Sequence, residues 1–102
     1  MSLASFDLSP GARREFDDTV DWYREQSPEA AERFVAAVHA GILRIVDSPL
    51  RWPENAAGER RLVLQGSPFA LEYVSRPGHV TIVAIAHGSR DPEYWRRAGP
   101  RG

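Results

Sequence analysis

A chain of 102 residues is long enough to bury one modest hydrophobic core and too short for two. Hydrophobic residues make up 42% and charged residues 26% of the chain, as in ordinary globular domains. The chain has no cysteine, which excludes disulfides, thiolate metal sites and a cysteine nucleophile. We therefore expect a single domain over residues 1–102, with an ordered core over about residues 3–97.

The charge is unevenly distributed along the chain. Its net value is −1, and every basic side chain is an arginine. Residues 1–58 hold six Arg and ten acidic residues (−4), whereas residues 59–102 hold seven Arg and four acidic residues (+3). The second half is therefore the better candidate for meeting an anionic partner. The absence of lysine is most simply explained by a codon bias towards arginine. Alternatively, it reflects recognition of phosphate or carboxylate groups, which the planar guanidinium binds well.

Several classes of protein and site are excluded. No apolar run approaches the roughly 20 residues of a membrane helix, and residues 1–9 lack the features of a signal peptide. We therefore expect a cytoplasmic protein without membrane contact. The three histidines lack the spacing of metal ligands, and no glycine-rich phosphate loop is present, so we expect no metal site and no cofactor.

The first half of the chain predicts one strand and two helices. Apolar and polar residues alternate over residues 4–8, as in a half-buried strand. Ser9-Pro10 and Ser27-Pro28 each combine an N-cap with a proline at the first helical position, so helices are predicted near residues 10–26 and 28–47. The short break between the helices predicts an antiparallel hairpin.

The second half predicts a loop and three strands. Residues 48–58 are rich in turn-forming residues, which indicates a loop anchored by Trp52. Strands are predicted from Arg61 to Leu64, from Phe69 to Val74 and from Val80 to Ala86. The last is nearly all apolar, so we place it centrally in the sheet, covered on both faces. The order β-α-α-β-β-β predicts an α+β fold, a two-helix hairpin packed on a four-stranded, mainly antiparallel sheet that the first strand joins by a crossover.

The most informative stretch follows the last predicted strand. There His87 and Arg90 lie in a polar loop, followed by the aromatic pair Tyr94 and Trp95. Chemistry often occurs where a rigid strand delivers polar side chains to an edge. On the residues alone, a structural role is nevertheless favoured, in which Arg90 pairs with a carboxylate and the aromatic pair closes the end of the core.

Several motifs along the chain occur together in one order. They are the Ser-Pro helix start with early acidic and aromatic residues, the alanine-rich second helix ending near Ser48-Pro49, the Arg61-Leu62-Val63 strand and the strand carrying Tyr73. The most specific motif is the ending His87-x-x-Arg90-x-Pro92-x-Tyr94-Trp95. Over about residues 3–97 the chain thus resembles the RelE/ParE toxin superfamily, and its ending is similar to that of ParE-like members.

The resemblance implies the toxin of a type II toxin–antitoxin system. A cognate antitoxin would neutralise it by covering it with an extended or helical segment. ParE-like members act on DNA gyrase without a known catalytic centre of their own, whereas RelE-like members are ribosome-dependent mRNA endonucleases. A third alternative is an orphan domain that binds a partner without toxicity.

The two toxin activities would use different residues. In a RelE-like ribonuclease, Arg61 and Arg90 would stabilise phosphate charge, and His87 or Tyr94 would transfer a proton. In a ParE-like inhibitor, the target-binding residues would be Tyr94, Trp95, Arg96 and Arg97. A nuclease on the ribosome and its mRNA would need strong positive charge, whereas this chain has net charge −1 and no lysine. We therefore favour the non-enzymatic gyrase inhibitor.

Overall fold

Two Ser-Pro steps determine where the helices begin in the computed structural model, which describes residues 4–87. Helix α1 spans Pro10–Gln26 and helix α2 spans Pro28–Asp47, at the predicted positions. The side chains of Ser9 and Ser27 accept hydrogen bonds from the backbone N–H groups of Ala12 and Ala30, which have no partner within the helices. The backbone N–H of Ser27 also donates to the backbone carbonyl of Tyr23, so Ser27 both ends α1 and begins α2. The predicted helical hairpin is confirmed.

The four strands form one mixed sheet in the order β1-β4-β3-β2. They are β1 (Ser5–Leu8), β2 (Arg60–Val63), β3 (Phe69–Arg76) and β4 (His79–His87). Strand β1 pairs with β4 in parallel, and the other two pairings are antiparallel. The predicted mainly antiparallel sheet, the crossover of β1 and the interior position of β4 are confirmed. Strand β2 begins and ends one residue earlier than predicted.

The helices pack on one face of the sheet, called here the inner face. Leu62 and Leu71 lie on it, because their side chains approach Gly41 of α2. In the first half of β4, Val80 and Ile82 are fully buried, whereas Thr81 and Val83 are only half-buried. The prediction that β4 is covered on both faces is therefore wrong for this half, because both helices lie on the inner face.

Strand β4 contains a β-bulge, and the start of α1 completes its hydrogen bonding. The register against β3 skips Val83, which is the extra residue. Side chains alternate along a strand, so the extra residue brings Ile85 and His87 onto the inner face. The side chain of Ser9 donates to the Val83 carbonyl at 3.3 Å, and Glu15 accepts from the Ile85 N–H at 2.8 Å. Helix α1 thus stabilises the point where β4 changes face.

An aromatic cluster fills the space between the hairpin and the sheet. Phe34 of α2 is at its centre and is 2% exposed. Its ring centroid lies 5.8 Å from Phe16, 5.6 Å from Tyr23 and 5.4 Å from Phe69. Phe69 in turn lies 5.5 Å from the ring of His87. The end of β4 therefore packs on the same cluster that joins the two helices to the sheet.

The loop between α2 and β2 is anchored at two backbone carbonyls. The buried Tyr73 donates its hydroxyl to the carbonyl of Pro49 at 2.7 Å, and Arg60 donates to the carbonyl of Trp52. Trp52 is half-buried and packs against the core, as predicted. These two hydrogen bonds therefore hold the first part of the loop against the sheet.

Candidate functional site

The structure does not bring together the two proposed catalytic residues that it describes. Arg61 is in register with Glu72, one position along from the inner pair Leu62 and Leu71, so it lies on the face opposite the helices, called here the outer face. His87 pairs with Phe69 and contacts its ring on the inner face. The sheet therefore separates Arg61 from His87. The other predicted site residues lie outside residues 4–87: Arg90, Tyr94, Trp95, Arg96 and Arg97.

The bulge at Val83 causes this separation. If β4 alternated strictly from the inward-facing Ile82, His87 would lie on the outer face, the face on which the β2 residue Arg61 lies. On that face Arg61 instead has Glu72 directly opposite, which offsets its charge. Next to this pair, the side chains of three alanines in the central strands are almost fully buried: Ala70, Ala84 and Ala86.

A hydrogen-bonded network at the β1–β4 edge was not singled out from the sequence. The Nδ1 atom of His79 lies 2.7 Å from the Ser5 hydroxyl, and its Nε2 atom lies 2.9 Å from the carboxylate of Asp7. Thr81 donates to the same carboxylate at 2.9 Å. In the sequence, this network appears only as polar residues two positions apart in each strand. The network forms because the parallel register of β1 and β4 places these residues side by side.

This network has the composition of a hydrolase triad but is best explained as a structural link. The Ser5 hydroxyl is also within 3.2 Å of the Gly78 carbonyl, to which it can donate. The backbone N–H of Ser5 donates to that same carbonyl, so it is not available to stabilise an oxyanion. The side chains of His79 and Asp7 are 42% and 59% exposed, so water has access to the network. The network therefore joins the edge strand β1 to the centre of the sheet.

The Asp7 interaction predicts a pH dependence of stability. Its hydrogen bonds to His79 and Thr81 lower the pKa of Asp7 below its ordinary value of 3.8. The stabilisation is therefore fully present above pH 3.8 and is lost as the pH falls through the lowered pKa. We expect wild-type protein to lose more thermal stability between pH 5 and pH 2.5 than Asp7→Asn, with Asp18→Asn on exposed α1 as the charge-matched control. Equal losses in wild type and Asp7→Asn would contradict this prediction.

A concave groove of about 600 Å³ lies between α1 and the first part of α2. Its apolar lining includes Val35, which is 40% exposed, and Ala36, which is also exposed. Arg24 and Glu32 add one charge of each sign. The groove therefore has the form of a docking site for an amphipathic segment.

The described part of the chain offers neither a metal site nor a membrane helix. Over residues 4–87, no group of three or more His, Asp or Glu side chains is arranged to hold a metal ion. Over the same residues, no helix combines the length and apolarity needed to cross a membrane.

Comparisons with known proteins agree on a family and a fold. A family model described as the ParE toxin of the type II toxin–antitoxin system parDE matches residues 6–92. A chain from the chromosomal ParDE system of P. aeruginosa superposes with a TM-score of 0.71 at 20% identity, covering 83% of this chain and 96% of that one. The isolated E. coli RelE toxin superposes with a TM-score of 0.58 at 14% identity, covering 93% and 95%. The search of curated proteins gave no match.

Proposed function

Because the chain belongs to the ParE toxin family of type II toxin–antitoxin systems, we propose that it inhibits DNA gyrase by binding it. The family also implies a cognate antitoxin, for which we propose the groove between α1 and α2 as a binding site. The binding residues for gyrase are the C-terminal group Tyr94, Trp95, Arg96 and Arg97.

The observation that supports a binder over a nuclease is the separation of Arg61 from His87. Cleavage of RNA requires a proton-transfer group and a cation within reach of the same phosphate. Here the bulge in β4 directs His87 to the aromatic cluster, while Arg61 faces Glu72 on the other side of the sheet. Of the four residues proposed for RelE-like chemistry, the two within residues 4–87, Arg61 and His87, therefore lack a common substrate position.

The test is a supercoiling assay with purified gyrase, run beside a ribosome assay for mRNA cleavage. We expect the chain to inhibit supercoiling, the antitoxin to relieve the inhibition, and mRNA to remain intact. Codon-positioned mRNA cleavage that is lost in Arg90→Ala or His87→Ala would instead establish the RelE-like alternative. A chain that does neither and still binds the antitoxin would correspond to the orphan alternative.

A single charge in the groove should weaken antitoxin binding. Ala36 lies exposed in the groove, and glutamate is a good helix former, so Ala36→Glu should leave α2 intact. The new carboxylate would have to lose water when an apolar segment docks, which we expect to weaken binding at least about tenfold, equivalent to about 1.4 kcal/mol. Calorimetric titration with the antitoxin measures this effect. The matched control is Ala56→Glu on an exposed loop outside the groove; if the two variants bind equally, the antitoxin does not use the groove.

A further inference from the structure

The loop after α2 presents a compact group of apolar and cationic side chains that the groove and the C-terminal residues do not include. We define the loop knob as Leu50, Arg51 and Trp52 together with Arg44 from the last turn of α2. We propose that the loop knob docks on an acidic protein surface that contains an apolar recess, and that this surface belongs to the toxin's cellular target. The inference extends the proposed function by naming a second contact with the target.

The loop knob carries positive charge that is held in place without being neutralised. The guanidinium carbons of Arg44 and Arg51 lie 5.5 Å and 5.3 Å from the centre of the Trp52 ring. Over residues 4–87 neither arginine forms an ion pair. A cation–π contact orders a guanidinium and leaves its N–H donors available, so both arginines can bind carboxylates.

Leu50 supplies the apolar part of the loop knob. It is 69% exposed, the highest value among the exposed large hydrophobic side chains of residues 4–87. It directly precedes Arg51 and Trp52, and tryptophan and arginine are the residue types most enriched where protein interfaces bind tightly. An aliphatic side chain between cations fits a recess rimmed by carboxylates.

The loop knob is already ordered in the free protein. Hydrogen bonds fix the carbonyls of Pro49 and Trp52 on either side of its apex, and the N–H of Arg51 donates to the Ser48 carbonyl at 3.1 Å. Docking therefore loses little backbone entropy, which is the main advantage of a preorganised surface. The loop knob also lies beyond the groove, whose lining on α2 extends only to His39.

A protein partner fits these features better than a nucleic acid does. A phosphate backbone would use the two arginines but offers no recess for Leu50. The Trp52 ring is half-buried and already contacted by guanidinium groups, so it is a poor stacking platform for bases. The loop knob thus combines charge and shape that match an acidic protein surface.

The experiment compares two charge reversals in the full-length chain. Arg44→Glu/Arg51→Glu reverses the loop knob, and Arg13→Glu/Arg14→Glu makes the same charge change on exposed positions of α1. We expect the loop-knob variant to lose growth inhibition at equal expression while its antitoxin affinity stays within twofold of wild type; the α1 variant should remain toxic. Leu50→Ser, which changes no charge, should raise the amount of toxin needed to stop growth at least tenfold.

Three results in the growth and antitoxin-binding assays would overturn the inference. They are a loop-knob variant as toxic as wild type, a parallel loss of antitoxin affinity, and a wild-type chain that does not slow growth. A DNA duplex serves as the competing probe: if the charge reversal abolishes DNA binding and leaves binding to the protein target intact, the acidic protein partner is wrong. Growth inhibition by wild type without inhibition of gyrase would refute the proposed function alone, and the loop-knob comparison would still decide the present inference.

Discussion

Replacing Phe34 with alanine should lower the free energy of unfolding by about 3–5 kcal/mol. Phe34 is 2% exposed, and its ring contacts Phe16, Tyr23 and Phe69, so the cavity would open between both helices and the sheet. Small domains are stable by only about 5–15 kcal/mol, so this loss would remove a large share of the free energy of unfolding. Urea denaturation followed by circular dichroism measures the change.

The control for Phe34 lies in the same hairpin. Trp22 is 56% exposed and contacts the ring of Tyr23 at 5.1 Å, so Trp22→Ala removes an aromatic side chain without opening the core. We expect it to cost less than about 1 kcal/mol, as for most exposed positions. Similar losses in the two variants would show that the aromatic cluster is not the part of the core on which stability depends.

Removing the residues after Asp91 should abolish growth inhibition while leaving the domain folded. The truncation deletes Tyr94, Trp95, Arg96 and Arg97, the proposed anchors for gyrase, and all of the described elements end at or before His87. His87→Ala should have little effect on growth inhibition, because the His87 ring contacts Phe69 on the inner face. The measurements are growth after induction, gyrase supercoiling and the thermal midpoint of each variant.

Two outcomes would contradict this assignment of the C-terminal residues. A truncated chain that still stops growth would place the essential target contacts within residues 1–91. Loss of toxicity in His87→Ala, at unchanged stability, would instead indicate proton transfer and direct attention to RNA cleavage. Antitoxin binding should survive truncation, since the groove is lined by residues of α1 and α2.

The helices could be predicted from the sequence because their signals are local. Ser9-Pro10 and Ser27-Pro28 determine helix starts through contacts within one turn, and both helices were predicted with their observed bounds. Strand β2 differed by one residue, because Leu64 continues the apolar pattern although it lies just beyond the end of the strand. The family could be predicted because its motifs extend along most of the chain.

The candidate site was harder to predict because it depends on register. Val83 is as apolar as its neighbours, so nothing in the sequence marks it as the extra residue that turns His87 away from Arg61. The network of Ser5, Asp7 and His79 joins residues more than 70 positions apart and exists only because β1 and β4 run in parallel. Periodicity identifies strands, but it does not specify their pairing.

The bulge at Val83 also has a consequence for how such chains evolve. Removal of that one codon would leave Ile82 opposite Tyr73 and Ala84 opposite Glu72 in a regular ladder, so every later side chain of the strand would keep its sheet face. The histidine at the strand end would stay on the helix-covered face opposite Phe69. A strand can therefore lose its bulge residue without regrouping the side chains on either face, and alignments of related toxins should tolerate a gap at this position.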